Sequence, residues 1–407
     1  MIALLQRLPF FKRHQLTPSE KYLMAIYGCI SIALFLYSFT QVDLGLTLTR
    51  WTLGANIQRS FQYIGYFNRP LSTVFYVTLM TGFFVLYLAV LRRIQRNLLS
   101  RKALWYIIIL CVGILALSYN AFSYDLFNYI FDAKIATFYQ QNPYLSKALD
   151  FPQDPMLGFM HWTQRTYPYG PVWLLLTIPL SFLGLQYFLG TLVLFKLFII
   201  SCYLASVYCL SKIMQKTDRE NELYAMAFFA LNPLVLIESV VSAHLDMVMM
   251  FFALLAFYAY LDKRYIRSMF LFLFSVGIKF ATGLAAPVIL WIIYQIYTKK
   301  RITNEQITIG IVICMSVAVI VATLRTNFQP WYLLEVFPFA ALLSKRFSIQ
   351  IGTFLLTVGA LMQYIPFLYT GNWDPPIPLI LNAIMLISLI LAIGICMTRP
   401  SLRKMIQ

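Results

Sequence analysis

Apolar segments of about 20 residues recur along this chain, and they limit its fold because each matches the hydrocarbon thickness of a bilayer. Hydrophobic residues make up 60% of the sequence and charged residues only 12%. A typical soluble domain carries about twice that charged fraction. The segments therefore predict an all-α polytopic integral membrane protein.

Charge placement predicts the orientation of these segments. The net charge of +17 raises the question of a nucleic-acid partner. However, Lys and Arg lie in short clusters between apolar segments, for example at 92–102 and 299–301, and cytoplasmic loops of membrane proteins show this pattern. We therefore expect a membrane as partner and no nucleic acid. All six cysteines fall inside apolar runs without metal-ligand spacing, so they imply no disulfide framework.

The basic clusters also decide how one ambiguous segment is placed. Residues 172–185 are apolar enough to cross, but a crossing there would put the basic residues at 212–219 outside and invert every later cluster. Prolines at 171 and 179 favour a short, broken element. We predict a re-entrant or interfacial helix here, and twelve crossings elsewhere with both termini inside. A basic segment at 1–15 and an amphipathic one at 51–66 are expected on the cytoplasmic and outer surfaces.

Residues 120–171 form the longest polar and aromatic stretch of the chain and become the first large outer loop. A membrane protein seldom keeps about 50 residues outside the bilayer at one point without a use for them. Two carboxylates, Asp125 and Asp132, follow the apolar segment that ends near Ala121. We take this loop as the candidate active site.

The spacing of Asp125, Tyr129 and Asp132 at i, i+4 and i+7 puts them on one face if 124–138 is helical. This arrangement favours Asp125 as a catalytic residue and makes Asp132 a second candidate. The alternative is a pair of solvated loop carboxylates or helix-end anchors. No ligand pair that includes His161 has a recognisable metal spacing, so a metal site stays open rather than indicated.

Other polar residues gather at later outer turns. One helix–turn–helix is surrounded by Glu238, His244 and Asp246. It is either an ordinary turn with soluble caps or a pocket wall that binds sugar hydroxyls or an acceptor. Trp331 belongs to a Gln-Pro-Trp-Tyr segment, where a packed turn is favoured over an aromatic platform for a sugar.

Two cations are candidates for holding an anion. Lys279 joins two short apolar segments, 269–278 and 284–297, and an ammonium at that depth needs an anionic partner. We favour a phosphate partner over snorkelling of the side chain to the surface. Arg325 begins another outer turn and is a second candidate for the same partner.

Taken in order, these motifs resemble those of the GT-C glycosyltransferases that use polyprenyl-phosphate sugars. The resemblance is closest to the bacterial polyprenyl-phosphate-mannose-dependent mannosyltransferases, and more distant to the catalytic subunit of GPI mannosyltransferase I. Four matching motifs lie in the outer loop: an acidic residue that opens it (125), an aromatic–aspartate helix (129–132), an Asn-Pro-Tyr turn (142–144) and a Tyr-rich closing segment (167–171). Four more follow it: an Asn-Pro-Leu turn (232–234), a polar-Asp turn (244–246), a lysine in a short helix pair (279) and a Pro-Trp-Tyr segment (330–332). Ser123 stands where many relatives carry a second acidic residue, so no paired Asp-x-Asp is present here.

The resemblance implies a reaction, in which Asp125 takes the proton from an acceptor hydroxyl as that hydroxyl attacks the anomeric carbon. The displacement is single and inverting, the sugar is mannose, and Lys279 and Arg325 offset the charge of the leaving lipid phosphate. The acceptor is a lipid or glycan at the outer face of the cell membrane. No cofactor is firmly implied, and a divalent cation (Mg²⁺ or Mn²⁺) stays open. The residues implied in substrate binding are Tyr129, Tyr144, Tyr167, Tyr169, Glu238, His244, Asp246 and Trp331.

The competing interpretation is a transporter or flippase for lipid-linked sugars. That class predicts ionisable residues spread near the bilayer midplane and repeated halves, whereas here the singular polar residues gather at one face and no repeat is evident. We expect residues 1–300 to contain the catalytic module and residues 301–407 to form a C-terminal transmembrane bundle.

Overall fold

The computed structural model describes residues 15–406, with side chains described up to residue 398. The basic surface segment predicted at 1–15 therefore lies outside the described residues, apart from its last position. Within 15–406 the chain forms helices and no strand, with one isolated bridge between Lys147 and Thr166. The all-α prediction is confirmed.

In chain order the helices are α1 (Pro18–Ser38), α2 (Thr52–Phe67), α3 (Arg69–Gln95), α4 (Arg101–Leu115), α5 (Asp125–Thr137), α6 (Pro171–Leu183), α7 (Phe188–Thr217), α8 (Glu222–Ala230), α9 (Pro233–Leu236), α10 (Asp246–Leu261), α11 (Tyr265–Ile278), α12 (Ala286–Tyr297), α13 (Asn304–Thr326), α14 (Phe337–Ala341), α15 (Phe347–Met362), α16 (Tyr364–Thr370) and α17 (Ile377–Ile406). A π-helical turn, Ile237–Val241, follows α9, and the 3₁₀ segments Phe280–Ala285 and Pro330–Glu335 precede α12 and α14.

Seven helices of the described chain are long and apolar enough to cross a membrane: Pro18–Gln41, Arg69–Gln95, Phe188–Thr217, Phe280–Tyr297, Asn304–Thr326, Phe347–Thr370 and Ile377–Thr398. An eighth span results if the pair Arg219–Ala230 and Pro233–Val241, bent by 57°, is counted as one. A polytopic membrane protein is therefore confirmed.

Fewer of the described helices are long enough to cross a membrane than the twelve crossings predicted from the sequence. Helices α4, α10 and α11 have 15, 16 and 14 residues, and a straight crossing needs about 20. The count of twelve and the orientation therefore stay predictions. The ambiguous segment after Pro171 forms α6, which has 13 residues and contains Pro179. At a rise of about 1.5 Å per residue this helix is too short to span a bilayer, in line with a re-entrant or interfacial element.

The region after residue 300 packs directly on the earlier helices. Tyr76 on α3 donates a hydrogen bond to Leu361 O at 2.8 Å, and Asn232 Nδ2 lies 2.9 Å from Thr357 Oγ1 on α15. These contacts are buried, so they hold the last helices against the centre of the molecule. The boundary at residue 300 stays a prediction, but both of its sides contribute to one core.

Candidate active site

Helix α5 places the first carboxylate of the outer-loop stretch. It begins at Asp125, and the backbone N–H of Asp125 donates to Ser123 Oγ at 3.2 Å. A carboxylate in the first helical turn is favoured by the helix dipole. The predicted helix over 124–138 is thus confirmed, with Asp125, Tyr129 and Asp132 along it. The Asp125 side chain is buried in the protein, with 7% of the residue exposed.

Asp132 lies two turns along α5, and its carboxyl has a raised pKa. Burial raises its pKa to about 7, Arg165 acts in the opposite direction, and the nearby charge of Asp125 adds to the rise. At neutral pH, Asp132 is therefore shared between the protonated and the ionised form. It is suited to hold a proton near Asp125.

A broken helix brings the second group of polar residues to the same place. Asn232 lies between α8 and α9 and caps α9, because its Oδ1 accepts hydrogen bonds from Leu234 N and Val235 N at 3.0 and 3.3 Å. The π-helical turn that follows carries Glu238, and Ala243 at φ 57° reverses the chain into α10. Single π-helical turns are frequent at functional sites.

Four side chains form a continuous line of contacts at the centre of the molecule. His244 Nδ1 lies 3.7 Å from Asp125 Oδ2, and His244 Nε2 lies 3.3 Å from Glu238 Oε2. The Tyr364 hydroxyl donates to Glu238 Oε1 at 2.6 Å. Glu238 and His244 are fully buried. Three of the predicted residues, Asp125, Glu238 and His244, are therefore in contact.

Lys279 lies between two carboxylates. Its Nζ is 2.5 Å from Asp246 Oδ1 and 2.7 Å from Glu335 Oε1, and it stands 5.0 Å from the centre of the Tyr332 ring. These carboxylates raise the pKa of Lys279 against the opposing effect of burial. Burial raises the pKa of Glu335 to about 7, although Lys279 acts against that rise. Lys279 is thus a fixed cation whose second carboxylate partner titrates near neutral pH.

The predicted aromatic residues have different surroundings. Trp331 stacks on His244 with ring centres 4.2 Å apart and planes 15° apart, so one face of its indole is covered. Tyr129 is buried and contacts Tyr169 and Trp173 edge-on. The Tyr167 hydroxyl donates a hydrogen bond to Gly170 O at 2.9 Å, and this bond helps to close the loop.

Two predicted residues lie away from the buried line of contacts. Tyr144 is 41% exposed, its hydroxyl donates to Tyr169 O at 3.3 Å, and its ring contacts Tyr167 edge-on. Arg325 is exposed in the last turn of α13. No ion pair of Arg325 occurs within the described part of the chain.

The sequence interpretation missed several charged and polar residues of the site. Arg165 Nη2 lies 3.9 Å from Asp125 Oδ1, and Glu335 and Tyr364 come from the region after residue 300. Lys196 is buried inside α7, where its Nζ donates to Ser118 O at 2.5 Å. A lysine in an apolar run is the same signal that singled out Lys279, so Lys196 was detectable. Glu335 is likewise a single charged residue within the apolar run 333–343, whereas Tyr364 carried no such signal.

The acidic side chains do not form a metal site in this structure. Within residues 15–398, no three His, Cys, Asp or Glu side chains are arranged to hold a metal ion. Asp246 and Glu335 are instead paired with Lys279, and Asp125 with Arg165 and His244.

The comparison with known families gives one match. Residues 37–295, well over half of the 407 residues, match the N-terminal domain of the MptA_B family, described as alpha-(1->6)-mannopyranosyltransferase. No curated protein and no solved structure shows a significant match. The matched range contains α5, the π-helical turn and Lys279, whereas Trp331, Glu335 and Tyr364 lie beyond it.

Proposed function

We propose that this membrane mannosyltransferase, which belongs to the MptA_B family of alpha-(1->6)-mannopyranosyltransferases, takes mannose from a polyprenyl-phosphate donor. The acceptor is a lipid or glycan, and transfer takes place at the outer face of the cell membrane. The observation that carries the proposal is the buried cluster around Asp125, in which Arg165 and His244 flank one carboxylate. Ionisable residues buried in a membrane protein mark functional sites by default.

Asp125 is the proposed general base. Its carboxylate takes the proton of the acceptor hydroxyl while the hydroxyl oxygen attacks the anomeric carbon. The bond from that carbon to the lipid phosphate breaks at the same time, and its electron pair stays on the phosphate oxygen. A single displacement inverts the configuration at the anomeric carbon. An α-linked product, as the family description states, therefore requires a β-linked donor. This step uses one carboxylate and resembles the GT-C reaction.

The leaving lipid phosphate needs a cation near it, and Lys279 is the proposed partner. Lys279 already contacts two carboxylates, and with both of them ionised the three side chains carry a net negative charge that repels a phosphate. Glu335, with its pKa raised to about 7 by burial, is the carboxylate that takes up a proton near neutral pH. With Glu335 protonated, Lys279 and Asp246 balance each other, and a phosphate meets no net negative charge. Arg325, which is exposed, is proposed to attract the headgroup as it approaches.

The proposed function is tested with the purified protein in lipid nanodiscs. Radiolabelled mannose is supplied as β-linked polyprenyl-phosphate mannose or as a nucleotide-linked mannose, with a panel of lipid and glycan acceptors. We expect transfer from the polyprenyl-phosphate donor alone, with an α-linked product by NMR. Transfer from the nucleotide sugar alone, or a β-linked product, would refute the proposal. In a separate assay with proteoliposomes, movement of the labelled lipid across the membrane without transfer of mannose would favour a transporter instead.

A further inference from the structure

Glu238 is a carboxylate with an unusual lack of cations around it. It is fully buried, and His244 is the basic side chain within ion-pair distance of it among the described residues. An ionised carboxylate in such a place is costly unless it is paired and hydrogen-bonded. The Tyr364 hydroxyl satisfies Glu238 Oε1, and Glu238 Oε2 faces the imidazole.

His244 is held in one position by three contacts. Its backbone N–H donates to Glu238 O at 2.9 Å, its ring stacks on Trp331, and Nε2 lies 3.3 Å from Glu238 Oε2. Neither ring nitrogen has an aligned hydrogen-bond partner among the described residues. Both nitrogens of a fully buried imidazole are therefore available, one towards Glu238 and the other towards Asp125. A packed histidine with a purely structural role is normally hydrogen-bonded.

We propose that His244 is a positioning residue that accepts the proton from Asp125, with Glu238 stabilising the imidazolium that forms. The inference rests on the proposed role of Asp125 as general base. In the resting enzyme, Nε2–H points to Glu238, and the lone pair of Nδ1 faces Asp125. We assign this tautomer because Glu238 Oε2, at 3.3 Å, is closer to the ring nitrogens than Asp125 Oδ2, at 3.7 Å.

The proton then follows a defined route. It leaves the acceptor hydroxyl for Asp125 as the new glycosidic bond forms, and it passes from Asp125 to His244 Nδ1. Asp125 is again ionised, and the positive imidazolium lies between two carboxylates. After the product leaves, the proton returns through Asp125 to water. The electron pair of the broken bond stays on the lipid phosphate, so atoms and charge balance.

The experiment compares His244→Gln with Glu238→Gln and Asp125→Asn in the full-length protein, using the polyprenyl-phosphate donor and a fixed acceptor. His244→Gln keeps a polar side chain but cannot accept a proton. We expect its kcat to fall about 10- to 100-fold, less than the loss expected for Asp125→Asn, with KM for donor and acceptor nearly unchanged. Glu238→Gln should lower kcat in the same direction.

Chemical rescue separates proton transfer from a structural role. His244→Gly leaves a slot beside Trp331, so added imidazole should restore part of kcat. The control is His161→Gly, which removes an exposed histidine whose ring contacts Tyr124; imidazole should not change the rate of this variant. Thermal unfolding checks that each variant is folded, and His244→Gln decides the question if His244→Gly does not fold.

The outcomes for this inference and for the proposed function differ. Wild-type kcat in folded His244→Gln, or a rise in KM without a fall in kcat, overturns the role of His244 even if Asp125→Asn is inactive. A folded His244→Gly that imidazole does not rescue also counts against proton transfer. Wild-type turnover in Asp125→Asn overturns the proposed base itself.

Discussion

Lys279 Nζ lies 2.7 Å from Glu335 Oε1, although the two residues are 56 positions apart in the chain. Asp246 contacts the same ammonium, so one lysine joins α10, the turn after α11 and the segment before α14. The family match ends at residue 295 and does not include Glu335. The contact between them therefore links the matched region to the rest of the chain at the proposed phosphate site.

Removing this lysine should destabilise the protein, because two buried carboxylates lose their cation. We expect Lys279→Met to lower the free energy of unfolding by about 3–5 kcal/mol, measured by denaturant unfolding in detergent. Adding Glu335→Gln should recover part of the loss. The matched control is Lys345→Met, which breaks an exposed pair with Asp218 and should cost less than about 1 kcal/mol. Equal losses in the two lysine variants would contradict the assignment.

The partly buried carboxyl of Asp132 makes stability depend on pH. Its pKa is about 7 in the folded protein and about 3.9 when unfolded, so between these values the folded state holds a proton that the unfolded state has released. Stability should therefore fall as pH rises through this window, by up to about 1.4 kcal/mol per pH unit. Asp132→Asn should flatten the profile, as should Glu335→Gln. A wild-type slope in both variants would contradict these protonation states.

Donor affinity tests the two proposed phosphate partners. Binding of a polyprenyl phosphate, measured by thermal-shift titration, should weaken roughly 10- to 100-fold in Lys279→Met. Arg325→Gln should have a smaller effect that disappears at high salt, because exposed charges are screened. Unchanged affinity in both folded variants would assign the phosphate to another cation, with Arg165 the next to test.

Much of the local structure was predictable, because it depends on neighbours in the sequence. The spacing of Asp125, Tyr129 and Asp132 places them along one helix once 124–138 is helical, and the Asn-Pro-Leu motif at 232–234 indicates a turn there. The partners that complete the site were not predictable. Tyr364 reaches Glu238 across 126 positions, and no periodicity in a single sequence records such a pairing.

Trp331 is a second residue whose contact partner could not be predicted from the sequence. Its motif was found from the sequence, but the stacking on His244, 87 positions earlier, depends on how the segment before α14 packs on the turn before α10. The sequence therefore leaves the partner of an aromatic residue open. A carbohydrate can contact Trp331 only on the face that His244 leaves free.

The orientation in the membrane is tested by cysteine labelling from either side, in a variant that lacks the native cysteines. Single cysteines at 216 and 300 should react only from the cytoplasm, and those at 141 and 374 only from outside. The expectation rests on the basic clusters and on α6 not crossing. Labelling of position 216 from the outside would show that α6 crosses, and the later orientation would be reversed.

The central claim is that Asp125 removes the proton from the acceptor, and the turnover rate of Asp125→Asn tests it most directly. Asparagine is nearly isosteric and keeps an oxygen acceptor, but it cannot take a proton near neutral pH. With the polyprenyl-phosphate mannose donor at saturation, we expect kcat to fall by about a hundred- to ten-thousandfold, with donor affinity nearly unchanged. A folded Asp125→Asn protein that transfers mannose at the wild-type rate would contradict the account.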